Sequence, residues 1–176
     1  MIRRNALLGS LAAAALIGAA AFGQGKPNFT GTWELTEIDR SDGTRLRAGT
    51  SFKETQIWVH QEPEIKIKML TWNGTSGLLT TEVTFNTNDT KGTVGYVTRP
   101  DGTKLKVVGS AHWEGTRLVY EQEIPEAKNG GPRRIIRTCT IEADGPKLVA
   151  EQVYWIVGME ESIEAKWSWA KKSGTP

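Results

Sequence analysis

From Phe29 onward, apolar and polar residues alternate over short runs separated by turn residues, and this period of two constrains the fold more than any other feature of the chain. Successive side chains of a strand point to opposite faces, so each run has one side to bury and one to leave in water. Helical periodicity is hard to find. Candidate strands cover 31–38, 55–61, 64–72, 78–86, 93–99, 103–113, 117–124, 133–142, 147–157 and 162–171. Sequential strands with short connections predict an all-β domain, an up-and-down antiparallel β-barrel of about 8–10 strands.

Turn chemistry in the second half predicts register. Asp101-Gly102, Glu114-Gly115, Asn129-Gly130 and Asp144-Gly145 each resemble the centre of a two-residue hairpin turn. Taken so, they set Tyr96 opposite Val107 and carry the same row through Gln122, Arg137 and Gln152. Parity then gathers Leu105, Val107, Ala111, Leu118, Tyr120, Ile135, Cys139, Ile141, Leu148, Ala150, Tyr154, Trp167 and Trp169 on a dry face. The other face carries Lys104, Lys106, His112, Arg117, Glu121, Glu123, Thr138, Thr140, Glu151, Glu164 and Lys166.

Residues 1–23 read as a cleaved signal peptide: Arg3 and Arg4 precede an alanine-rich apolar run that ends in small residues. Residues 24–28 then form a linker, 29–172 the barrel and 173–176 a tail. The expected location is outside the cytoplasmic membrane, periplasmic or secreted, with no membrane span once the leader is removed. Of 22 basic and 20 acidic residues the leader holds two basic ones, so the remainder has 20 of each. That balance gives no basic stripe for nucleic acid. Cys139 is the single cysteine, so the fold does not rest on an internal disulfide. The Asn-x-Thr triplets at Asn28, Asn73 and Asn88 read as turn chemistry.

The opening strand, with Gly31, Thr32 and Trp33 after Asn28, Phe29 and Thr30, resembles the Gly-x-Trp element of lipocalins and their calycin relatives, the fatty-acid-binding proteins and avidins. In that family the element closes one end of the barrel, which the resemblance implies for Gly31 and Trp33. It also implies a small apolar or amphipathic molecule as the interior ligand. The match in motif covers the first strand. Residues 41–54 are too short and glycine-rich for a helical pair, a second lipocalin motif is not found, and the last strand offers no clear arginine to cover Trp33.

On the dry face, the row Gln122, Arg137 and Gln152 is the feature that needs explaining, because an isolated charge is costly to bury. Two readings stand. In one, the Arg137 guanidinium and the two amides receive a carboxylate-like head group, while Tyr96, Tyr120, Tyr154 and Trp167 hold the apolar body. In the other, Arg137 pairs with an internal carboxylate such as Glu37, or reaches an open end.

The inventory for catalysis is thin. His60 and His112 sit in separate strands, and no metal-ligand spacing, phosphate loop or nucleophile elbow is present, so neither a metal nor a cofactor is expected. Seven tryptophans raise a sugar-stacking alternative, with Trp58, Trp72 and Trp155 as outward candidates. Trp155, flanked by Val153 and Val157, also offers a face for a homodimer. The expected function is therefore a small-molecule-binding barrel. The competing readings are a side-chain-filled barrel acting through its surface and a small barrel enzyme.

Overall fold

A computed structural model describes residues 25–49, 51–74, 77–124, 135–144, 146–156 and 162–173; for Asn73, 135–140, 142–144 and 154–156 it describes the backbone alone. Eleven strands follow one another: β1 (Gly31–Arg40), β2 (Arg45–Arg47), β3 (Phe52–Gln61), β4 (Glu64–Asn73), β5 (Gly77–Asn86), β6 (Gly92–Thr98), β7 (Lys104–Glu114), β8 (Arg117–Ile124), β9 (Ile135–Asp144), β10 (Lys147–Ile156) and β11 (Ile163–Lys171). Successive strands pair antiparallel except that β3 pairs with β1 and not with β2, and β1 also pairs with β11 from Trp33 opposite Lys171 to Arg40 opposite Ala165. The result is the up-and-down barrel that the alternation predicts. The short β2, absent from the sequence reading, pairs with the far half of β1 beside β3.

Burial follows the period of two. Leu105, Val107, Gly109 and Ala111 of β7 are buried, as are Leu118, Tyr120 and Gln122 of β8, while the residues between them are partly or fully exposed. In register, the β8–β9 pairing is as expected, with Gln122 opposite Arg137. Elsewhere the turns differ. The β7–β8 turn centres on Gly115 and Thr116, since Glu114 pairs with Arg117, and β9–β10 pairs Asp144 with Lys147. Both shifts are by two in pairing sum, which keeps every residue on its expected face but slides the row. Gln122 therefore faces Gly109, Arg137 faces Tyr154, and Gln152 faces Cys139.

At β6–β7 the change is by one residue and alters the face. Pro100, Asp101 and Gly102 form a three-residue connection: Gly102 N–H donates to Arg99 O at 2.9 Å, Arg99 N–H donates to Thr103 O at 2.9 Å, and Gly102 takes φ +82°. Pro100 has the fixed φ of the first central position of a type I turn, and Gly102 fills the left-handed position that follows. Tyr96 is consequently turned outward and is 48% exposed, while Val97 faces the core. The expectation that Tyr96 lines the interior is corrected.

One end of the barrel is packed shut by the chain entering it. Phe29, wholly buried, stacks on Trp113 at 5.8 Å and on His60 at 5.8 Å, and meets Trp58 at 5.5 Å. Trp33 Nε1 donates to Phe29 O at 2.9 Å, and Lys171 of β11 lies over the Trp33 ring at 5.4 Å. Gly31 has φ +147°, and a Cβ there would stand 2.9 Å from Lys171 Cε. The cation covering Trp33 is thus a lysine that arrives through the β1–β11 closure.

Glu62, in the β3–β4 turn, ties four segments together at this end. Its carboxylate accepts from Trp113 Nε1 at 2.7 Å, Thr87 Oγ1 at 2.9 Å and Lys26 Nζ at 3.3 Å. Phe29 N–H donates to His60 Nδ1 at 3.4 Å, so in the neutral ring Nε2 carries the hydrogen and donates to Glu62 at 3.0 Å. Burial pushes the Glu62 carboxyl up, but the donors His60, Thr87, Trp113 and Lys26 prevail and hold it at about 2, against an ordinary 4.5.

A depressed carboxyl stabilises the fold above its unfolded pKa and loses that contribution as pH falls from about 4.5 to about 2. The side chain is 36% exposed, so solvent screening reduces the linkage to about 1–2 kcal/mol. Glu62→Gln is therefore expected to lower stability by that amount at neutral pH. Urea melts across pH should show the gap to wild type closing towards pH 2. A gap independent of pH would contradict the role.

Candidate functional site

The interior divides into two halves along its axis. Next to the closed end, Trp58 of β3 and Tyr120 of β8 meet edge to face across the lumen, 6.5 Å between ring centroids, and Tyr120 also packs on Phe85 at 5.1 Å. These rings, with Phe29, Trp33, Ile65, Ile67, Leu118 and Ile141, form a dense aromatic and aliphatic floor. Tyr120, expected to touch a ligand, belongs to that floor.

Beyond the floor, towards the end where β8 leads to β9 and β10 to β11, the inward residues change character. On β3 the next inward positions are Gln56 and Glu54, and on β8 the next is Gln122; Gln152 of β10 is buried as well. Glu54 is 5% exposed and Gln122 6%. Phe52 and Trp167 meet edge to face at 6.1 Å on this side, and Trp167 stacks on Trp169 at 5.8 Å.

Four side chains on β3 and β4 form a directed chain. Trp58 Nε1 donates to Gln56 Oε1 at 2.8 Å, Gln56 Nε2 donates to Glu54 Oε1 at 2.7 Å, and Thr71 Oγ1 donates to Glu54 Oε2 at 3.2 Å. On the opposite wall, Gln122 Nε2 is buried without a hydrogen-bond partner. A buried donor without a partner costs about 1–3 kcal/mol, so its presence calls for an explanation. Trp169 Nε1 is the comparable case in the stacked pair with Trp167.

β3 is inverted relative to its composition. Ile57 and Val59 face outward, while Glu54, Gln56 and Trp58 face in. Outward Ile57 and Val59 stand opposite Lys68 and Lys66, whose aliphatic stems suit an exposed β-branched neighbour. Trp58, assigned to the outside as a sugar platform, is instead fully buried and hydrogen-bonded. Trp72 does face out, at 37% exposure.

The remaining expected site residues stand as follows. Gly31 and Trp33 lie at the closed end, and Gln122, Gln152 and Trp167 are buried in the other half. Arg137 and Tyr154 are in register with each other, and Arg137 with Gln122, but their side chains lie outside the described residues, as do those of Cys139 and Trp155. Glu37, the carboxylate suggested as a partner for Arg137, follows a β-bulge in β1, is partly exposed, and lies 3.8 Å from Arg45 Nε. Among the described residues the buried carboxylate is Glu54. It was legible in principle, because a short β3–β4 turn sets Gln61 opposite Glu64 and hence Gln56 and Glu54 opposite Met69 and Thr71 on the buried face of β4.

Two of the three sequons act as turn chemistry. Asn28 Oδ1 accepts from Thr30 N–H at 2.9 Å and Asn88 Oδ1 from Thr90 N–H at 3.1 Å. A groove of about 470 Å³ lies over β1, β10 and β11, lined by Asp39, Glu151, Glu164 and Lys166 and also by the buried Gln152 and Ala165. Lys166 is flanked in register by Asp39 and Glu151, the mixed pattern of a solvated charged face. Among the described residues no group of three or more His, Cys, Asp or Glu is placed to hold a metal ion. Comparison with protein-family models, curated proteins and solved structures finds no match to this chain.

Proposed function

We propose that this is an exported, lipocalin-like binding protein that holds a small amphipathic molecule in the half of its lumen beyond the Trp58–Tyr120 floor, without catalysing a reaction on it. The observation that carries the reading is the Gln122 amide, buried at the level of Glu54 and Gln56 with donors that meet no acceptor. A filled barrel would pack this half with aliphatic groups, as it does the floor. Instead the inward positions one step beyond the Trp58–Tyr120 contact, Gln56 on β3 and Gln122 on β8, are polar, which suits a pocket that orients a ligand by a few polar groups within apolar walls. Trp167 and Phe52 offer the apolar surface for the rest of the molecule.

Native mass spectrometry of the protein purified from the envelope of cells that make it tests the reading. A reproducible small-molecule adduct is expected on wild type. Gln122→Trp, which fills the space beyond the floor, is expected to carry none.

A further inference from the structure

We infer that the head group this lumen accepts is an uncharged one that both donates and accepts hydrogen bonds, a primary carboxamide being the simplest case. The inference rests on the interior-binding reading above and narrows it.

The donor side of the ligand follows from the β3 chain. Indole N–H is a donor only, so the Trp58 bond fixes the orientation of the Gln56 amide: Oε1 accepts and Nε2 must donate. Thr71 donates from the other side. Every hydrogen in the chain therefore runs towards Glu54, which ends it as an acceptor. A carboxylate offers about four acceptor sites, and two neutral donors occupy only part of them. Among the described residues no cation lies within ion-pair distance of Glu54, although it is almost wholly buried. A further donor aimed at it would be strongly favoured.

The acceptor side follows from Gln122 on the opposite wall, whose Nε2 hydrogens have no partner. The Trp58–Tyr120 contact shows that β3 and β8 face each other directly, and one inward step beyond it on each strand gives Gln56 and Gln122. A carboxylate ligand would satisfy Gln122 but bring like charge towards Glu54. An amine would satisfy Glu54 and leave the Gln122 donors facing a cation. A carboxamide presents its oxygen to Gln122 and its N–H to Glu54. Because unmatched buried groups penalise the wrong ligand more than matched ones reward the right one, the discrimination is expected to be large.

The probes are octanamide, octanoate and octylamine, which share one tail and differ in the head group. They are titrated by calorimetry against the protein as purified, after removal of any bound molecule. Octanamide is expected to bind tightest, by about tenfold or more over either charged analogue. Gln122→Leu should weaken octanamide by about tenfold and strengthen octylamine, because the donors that face its cation are gone. If octanoate or octylamine binds wild type at least as well as octanamide, the head-group inference is overturned while interior binding stands. If none of the three binds a protein that remains folded by circular dichroism, the interior reading itself is removed and this inference with it.

Discussion

Gly95→Ala is expected to destabilise the barrel by on the order of 3 kcal/mol or more, a large effect for the addition of one methyl group. Gly95 lies in β6 opposite Val83 of β5, beside the irregularity that shifts register between Thr93 and Gly95. A Cβ at this position would fall on the Glu82 carbonyl oxygen, and would lie 2.8 Å from both the Glu82 carbonyl carbon and Val83 Cα. These are backbone atoms, so no rotamer change relieves the clash. The β5–β6 ladder must open, and it runs only from Thr80 opposite Thr98 to Val83 opposite Gly95. For a domain of this size, 3 kcal/mol corresponds to a fall in Tm of roughly 6–12 °C. Gly92→Ala is the matched control, since a Cβ there meets nothing within 4 Å. Its effect should stay within about 0.5 kcal/mol. Equal urea midpoints for the two variants would contradict the close approach of β5 and β6.

Trp58→Ala is expected to cost about 3–5 kcal/mol, the range for a fully buried large aromatic. The indole touches Phe29 and Tyr120, so its loss opens a gap in the middle of the floor. It also leaves Gln56 Oε1 buried without its donor, which adds a desolvation penalty to the lost packing. Trp72→Ala removes the same side chain from an exposed position and should cost under about 1 kcal/mol. Chemical denaturation of both variants separates the two cases. Similar losses would mean that β3 presents Trp58 to solvent and Ile57 to the core. The site would then fail as well, because Glu54 and Gln56 share the Trp58 face.

The barrel itself was legible because it depends on a property each strand carries locally. In β7 and β8 the alternation alone identifies Leu105, Val107, Ala111, Leu118 and Tyr120 as interior. Register was legible where a two-residue turn was only displaced by one position, because that changes the pairing sum by an even number. The shifts at Glu114 and Asp144 moved partners without changing faces, so Gln122 and Gln152 are still buried as expected. An odd error is not forgiven. The Pro100 turn is one residue longer than a two-residue hairpin, and that alone turns Tyr96 outward.

The candidate site was half legible for a different reason. Gln122 stands out because it interrupts an apolar face, whereas Glu54 and Gln56 sit in a strand whose aliphatic residues face outward. Composition misleads there, and the register set by the β3–β4 turn decides the face. The features that depend on the closing of the ring were out of reach. Lys171 reaches Trp33 only because β11 pairs with β1. Glu62 reads as a solvated turn residue until four segments of the chain converge on it.

The central claim is that the polar half of the lumen, and not the outer surface, is where a small molecule is held. The most direct measurement is the native mass of wild type beside Gln122→Trp, both purified from cells that make the protein, with organic extraction of whatever accompanies them. The account predicts a reproducible adduct on wild type that is absent from a folded Gln122→Trp. An adduct that persists unchanged in the variant would place the ligand elsewhere and contradict the claim, as would wild type that is bare in every preparation.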